Sequence, residues 1–173
     1  MGKSTGTFLY SWMAICVFYE YQTYHKHKGT ESVRQFVDSR FSSEQTAEQV
    51  EEQNRCLKQL QTKLLGCAVH ALPQGRERLN AYVLAIDGCC LFNQMGAMAA
   101  NLEYLHRPVD AAQAGALAEQ LENWLYYYKQ LWRTVSKQSE LGRIAEVLGW
   151  WADYLRTVDC RSGALCREAK QAE

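Results

Sequence analysis

Proline is nearly absent: Pro73 and Pro108 are the only two in 173 residues. Proline removes a backbone donor and clashes with the preceding helical turn, so its scarcity permits long uninterrupted helices almost everywhere. Net charge is absent as well, because 19 Lys plus Arg balance 19 Asp plus Glu. No electrostatic footprint calls for nucleic acid or an anionic membrane. Weak mutual repulsion leaves self-association open, so a homo-oligomer is among the expected partners.

The fingerprints of common chemistries are missing too. The chain has no G-x-G-x-x-G, no Walker loop and no G-x-S-x-G. It has seven cysteines but no C-x-x-C, and no histidine stands at zinc-ligand spacing from a cysteine pair. An odd count cannot pair fully within one monomer. Five of the seven fall in apolar helical patterns, where a thiol acts as a small hydrophobe. Reduced structural cysteines fit a reducing compartment, hence a cytoplasmic location.

Four histidines remain: His25, His27, His70 and His106. All sit at or near expected helix ends, where a cation suits the C-terminal dipole. His25 and His27 point apart on a helix and make a poor metal pair. Among the carboxylates, Glu51 and Glu52 are consecutive on a polar face. Glu140, Glu146 and Asp153 have Lys137, Arg143 and Arg156 nearby for surface pairing. Glu20, flanked by Tyr19 and Tyr21, reads as a structurally hydrogen-bonded acid. The sequence therefore assigns no catalytic residue, no metal ligand, no cofactor and no substrate-binding residue.

What is present reads as six helices and no strand. The first covers Phe8 to His25. It contains "FLYSWMAICVFY", Phe8 to Tyr19, a run without a charge that is too short to span a bilayer and lacks a cleavage site after it. A buried amphipathic helix is the preferred reading; a membrane or signal segment is the alternative. The second runs from Thr30 to Phe41, with Val33, Phe36, Val37 and Phe41 on one face. The third opens at Ser42 with Gln45 completing a capping box. Its expected buried stripe is Leu57, Leu60, Leu64, Cys67 and Ala71, and "LPQG" at Leu72 to Gly75 ends it.

The fourth covers Arg76 to His106, with Leu79, Val83, Ile86, Cys90, Asn93, Ala97 and Ala100 inward. Small residues, Gly88 and Gly96 among them, allow close helix approach. Arg107-Pro108 stops it. Asp110 caps the fifth, with Gln113 as its capping-box partner; Leu117, Leu121, Trp124, Tyr128, Leu131 and Val135 form its inner line. After a turn at Ser136 to Ser139, the sixth runs from Glu140 to Val158, with Leu141, Ile144, Leu148, Trp151 and Leu155 inward. Short connections between long helices make antiparallel neighbours. The expected fold is all-α: an up-down antiparallel bundle over residues 43–158, preceded by an apolar N-terminal helix and a short helix over 1–42, and followed by a frayed tail over 159–173.

One stretch, "YYYKQLWRTVSKQSELGRIAEVLGWWADYLR" from Tyr126 to Arg156, crowds aromatic residues together. Trp124, Tyr128, Leu131, Trp132 and Val135 share one broad face of a helix, and Tyr126 and Tyr127 flank it. Rings with an apolar body and a polar tip suit a bundle core or an interdomain contact. Stacking on sugar rings is the other use open to them.

This stretch resembles the C-terminal helical region of bacterial glycoside hydrolase family 20 enzymes, the β-N-acetylhexosaminidases. Tyr128, Leu131, Trp132, Arg133, Lys137, Ser139, Glu140 and Leu141 carry the likeness to a "Y-x-x-L-W-R" helix, a turn and a final helix. Near the N-terminus, Tyr19, Glu20, Tyr21, Tyr24, Arg40 and Phe41 resemble the segment after that family's last barrel strand. The resemblance implies a noncatalytic C-terminal helical portion of such a hydrolase, with a packing or oligomerisation role. The family's catalytic Asp-Glu pair lies in an upstream (β/α)8 barrel, which has no counterpart here. "MGKSTGT" likewise lacks the family's tryptophan and acidic residue before the apolar helix. On this reading the partner is the missing catalytic barrel. The alternatives are a stand-alone helical-bundle interaction protein and a small membrane-anchored helical protein.

Overall fold

The computed structural model describes residues 44–103, 105–135 and 141–158. They form α1 (Glu44–His70), α2 (Pro73–Glu103), α3 (Ala111–Val135) and α4 (Leu141–Arg156), with no strand among the described residues. The fold is an all-α helical bundle, as expected. The first two expected helices, the Ser42 cap, the Ser136 to Ser139 turn and the tail from Cys160 lie outside the described residues.

Local chemistry sets the breaks. Only Ala71 and Leu72 separate α1 from α2. Pro73 cannot continue α1, yet it suits the first position of a new helix, where its missing N–H costs nothing. Arg76 N accordingly donates to Leu72 O at 2.9 Å. The second of these helices thus starts at Pro73 and not at Arg76, as the sequence reading had it. It also ends earlier, at Glu103 instead of His106. His106 adopts φ 48°, a left-handed conformation that histidine tolerates better than most residues, and Arg107 N folds back to Asn101 O at 2.8 Å. Asp110 caps α3: its Oδ1 accepts from Ala112 N at 2.9 Å, and its carbonyl accepts from Ala114 N at 3.0 Å.

Each helix packs mainly on its neighbours in the chain. Asn54 Nδ2 donates to Cys90 O at 3.2 Å, Lys58 Nζ meets Asp87 Oδ1 at 2.7 Å, and Gln61 Nε2 donates to Val83 O at 3.4 Å. As α1 ascends in number α2 descends, so this pair is antiparallel. The main core lies between α2, α3 and α4, where Met95, Ala99, Ala118, Leu121, Val147, Ala152 and Leu155 are sealed from solvent. Among the residues whose side chains are described, α1 adds only Val50 to it.

The face α1 uses differs from the expected stripe. Val50 and Ala68 are buried, and Asn54, Leu57, Gln61, Leu64 and Ala71 are half-buried. That alternation of four and three residues is a coiled-coil seam. Leu60 is 48% exposed and Cys67 is exposed. A purely apolar criterion passes over Asn54 and Gln61, which occupy seam positions by hydrogen bonding to α2.

Candidate functional site

Most of the aromatic stretch is core. Trp124, Tyr128 and Trp132 are buried along α3, and Trp151 and Tyr154 along α4. Trp124 stacks on Tyr128 with centroids 4.9 Å apart, and Tyr128 meets Trp132 at 5.5 Å. Phe92 presents its edge to Trp124 at 5.6 Å. Trp124 Nε1 donates to Leu84 O at 2.8 Å, so the buried indole keeps a partner for its one donor. Tyr126 and Tyr127 are the exceptions, at 59% and 62% exposure.

The titratable residues form no catalytic constellation among the described residues, and no three His, Cys, Asp or Glu side chains there could hold a metal ion. His70 sits exposed at the end of α1 and His106 exposed beyond the end of α2, while His25 and His27 lie outside the described residues. Glu52 forms a two-pronged pair with Arg55, at 2.8 and 2.7 Å, on the exposed face of α1; the Arg55 hydrogen bonds hold its carboxyl below the ordinary value. Arg156 bridges to Glu122 at 2.6 Å and reaches Asp153 at 3.6 Å, and its hydrogen bond lowers the Glu122 pKa. Glu51 and Glu146 are exposed; Glu20 and Glu140 lie outside the described residues. Cys56 and Cys67 stand on the exposed side of α1, against the expectation that they fill a core. They lie beside the seam, not in it. Cys90 is buried, and burial pushes its thiol pKa up.

The feature with binding geometry is a groove between α2 and α3, to whose lining α1 contributes Lys58. It comprises two adjoining depressions of about 480 and 310 Å³ that share Leu84, Asp87 and Tyr127. Along α2 it extends from Asn80 to Gln94, and along α3 from Thr134 to Gln120, a length of about 21 Å at a rise of roughly 1.5 Å per residue. The opposed numbering makes α2 and α3 antiparallel as well. Val83, Leu84, Leu131 and Trp124 supply apolar surface, and Asp87, ion-paired with Lys58, lines both depressions midway along the groove. Leu65 and Val69 share the Lys58 flank of α1 by helical spacing. They are 47% and 72% exposed, and Leu72 beyond them is 81% exposed.

Sequence reasoning missed this groove because it follows from the spacing of three helices. Its one local signal was the adjacent pair Tyr126-Tyr127, already placed outside the inner line of α3. α2 is long and apolar enough to cross a membrane by length and composition, yet half of that stretch is buried within the bundle. The Phe8 to Tyr19 run, considered for a membrane role, lies outside the described residues. No family model, curated protein or solved structure matches this chain.

Proposed function

We propose that this chain is a noncatalytic helical-bundle interaction module whose groove over α2 receives an apolar helix. The observation that carries the reading is the groove itself. Its lining joins apolar side chains at Val83, Leu84, Leu131 and Trp124 to polar ones at Lys58, Asp87, Gln94 and Gln120, with an exposed tyrosine, Tyr127, beside them. Helix-in-groove recognition uses such a surface: apolar anchors enter the floor, and polar rims set orientation. Tyrosine on the rim suits a contact that is apolar on one side and wet on the other.

The glycosidase-derived reading rests on the resemblance of Tyr128, Leu131, Trp132 and their neighbours, and of Tyr19, Glu20, Tyr21, Tyr24, Arg40 and Phe41. In that reading the same groove would accept a helix of the missing catalytic barrel. Trp132 and Tyr128 are buried in the bundle, where a packing role accounts for them.

The test is sedimentation velocity and thermal melting of the full chain, compared with Tyr127→Glu and Leu131→Glu. An idle exposed position tolerates substitution within about 0.5 kcal/mol. A docking groove responds to Tyr127→Glu by a lowered association state or a lowered melting temperature, with helix content retained. If Tyr127→Glu leaves both measurements unchanged and Leu131→Glu costs only local packing, the interaction reading fails.

A further inference from the structure

We infer that the turn between α1 and α2 docks on an anionic lipid bilayer, with Val69 and Leu72 entering the interfacial layer and Lys63, Arg76 and Arg78 meeting lipid phosphates. The inference is independent of the groove reading and uses a different surface.

The zero net charge conceals a separation along the bundle. From Lys63 to Arg78, the three basic residues Lys63, Arg76 and Arg78 stand against one acid, Glu77. All three basic side chains are exposed. The far end is acidic, with Glu51, Glu52, Asp110 and Glu119 exposed there. The antiparallel packing of α1, α2 and α3 collects each sign at its own end. An anionic surface therefore attracts the turn and repels the opposite end, which orients the approach.

The apolar surface coincides with the basic end. Leu65, Val69 and Leu72 succeed one another at four and three residues and are exposed. Asn80 and Thr134 line the same depression, and α3 ends at Val135. The α2 stretch from Pro73 to Asn80 thus runs about 10 Å past the end of α3. Val69 and Leu72 accordingly stand on a projection. A projection encloses nothing; it enters a surface that yields, and the fluid headgroup layer of a bilayer does so. A second copy is the poorer occupant. Its acidic end matches the charge, but among the described residues no exposed large apolar side chain lies there to cover Leu72.

Backbone chemistry at the turn lowers the cost of entry. Peptide groups moved into a layer poor in water need internal partners. Arg76 N donates to Leu72 O at 2.9 Å, Arg76 Nη2 donates to Ala71 O at 3.3 Å, and Ala71 N donates to Ala68 O at 3.3 Å. The carbonyls of Ala71 and Leu72 therefore already have donors, and Pro73 brings no N–H. Arg76 keeps further guanidinium donors for a phosphate.

The experiment is co-sedimentation of the full chain with vesicles of phosphatidylcholine, and of phosphatidylcholine mixed with phosphatidylglycerol. The expected result is binding to the mixed vesicles alone. Lys63→Gln with Arg78→Gln should weaken it by about fivefold per charge removed. Val69→Gln with Leu72→Gln should weaken it by about tenfold or more. All four side chains are exposed, so both variants should keep the helical circular dichroism and melting of the parent chain. Benzoylphenylalanine at position 72 should crosslink to lipid on irradiation, and at position 126 it should not. A folded chain that binds neither vesicle overturns the inference, as does equal binding to both. Binding that both double variants retain also overturns it, because another segment, such as Phe8 to Tyr19, then holds the membrane. A crosslink from position 72 to a second copy in the presence of mixed vesicles overturns it in favour of self-association.

Discussion

Gly88 of α2 lies directly beneath the indole of Trp124 of α3. A Cβ built on Gly88 would sit 2.6 Å from Trp124 Cζ2 and 2.8 Å from Cε2. The missing side chain therefore lets the ring rest against the α2 backbone, where Trp124 Nε1 reaches Leu84 O. Helix approach, indole burial and one side of the groove all depend on this contact.

The glycines should accordingly divide under substitution by alanine. Gly88→Ala forces a rigid buried ring to move, at a cost of about 3 kcal/mol, offset by about 1 kcal/mol of helix propensity. The net expectation is a loss of about 2 kcal/mol in urea unfolding. Gly66→Ala and Gly115→Ala meet nothing within 4 Å, so each should stabilise by roughly 0.5–1 kcal/mol. Equal effects at Gly88 and Gly66 would contradict the packing of Trp124 on α2.

Asn54 and Asn93 should behave as a coupled pair. Asn93 Nδ2 donates to Asn54 Oδ1 at 2.9 Å, and Asn54 passes the network on to Cys90 O. Asn54→Leu alone leaves the Asn93 amide without its acceptor and should cost about 1–2 kcal/mol. Asn54→Leu with Asn93→Leu removes both polar partners and should cost much less than the sum of the single changes. A double-mutant cycle by urea unfolding measures the coupling; strict additivity would show that the bond contributes nothing. Polar seam positions specify register, so the double variant is also expected to loosen α1 on α2, visible as faster amide exchange along α1.

Acid should weaken the link between α3 and α4 at Glu122. Arg156 holds the folded-state pKa of Glu122 below its ordinary value. A depressed carboxylate pKa contributes stability that is present above the unfolded value and is lost as pH falls through the folded one. Both side chains are substantially exposed, at 41% for Arg156 and 50% for Glu122, so solvent screening keeps the pair's contribution small. Glu122→Gln should remove a small part of the acid-side slope of stability against pH and leave stability at neutral pH slightly lowered. An unchanged acid slope in the variant would rule the pair out as a contributor.

Thiol reactivity should report the orientation of α1. Cys56 and Cys67 are exposed and should be alkylated by iodoacetamide in the folded chain. Cys90 is buried with its pKa raised by burial, so it should react only on unfolding. Peptide mapping after timed alkylation reads this directly. Rapid labelling of Cys90 in the folded chain would mean that α1 does not cover α2 as described.

Several features were legible before folding was considered. Asp110 announces the start of α3 through its side-chain oxygen, and Pro108 forbids any continuation of α2. The inner line Leu117, Leu121, Trp124 and Tyr128 is buried as its period requires. The stripe on α1 was misplaced because the seam recruits Asn54 and Gln61, whose suitability depends on acceptors supplied by α2. α2 was read with one inward line, Leu79 to Ala100, whereas Leu91, Met95, Ala99 and Leu102 are buried as well. A helix packed on more than one side has no single apolar face, so periodicity cannot assign its neighbours.

The amino-acid sequence by itself determined the helical class, the breaks at Leu72-Pro73 and near Pro108, and the inner faces of α3 and α4. Those depend on interactions within a few residues: proline geometry, a capping oxygen, the 3.6-residue period. Only the tertiary structure decided that Trp124 is covered while Tyr127 is left on a rim, that Cys67 faces outward, and that a groove opens between α2 and α3. Those depend on where three helices stand relative to one another. That placement comes from contacts such as Gly88 with Trp124 and Asn54 with Asn93, whose partners lie dozens of residues away along the chain.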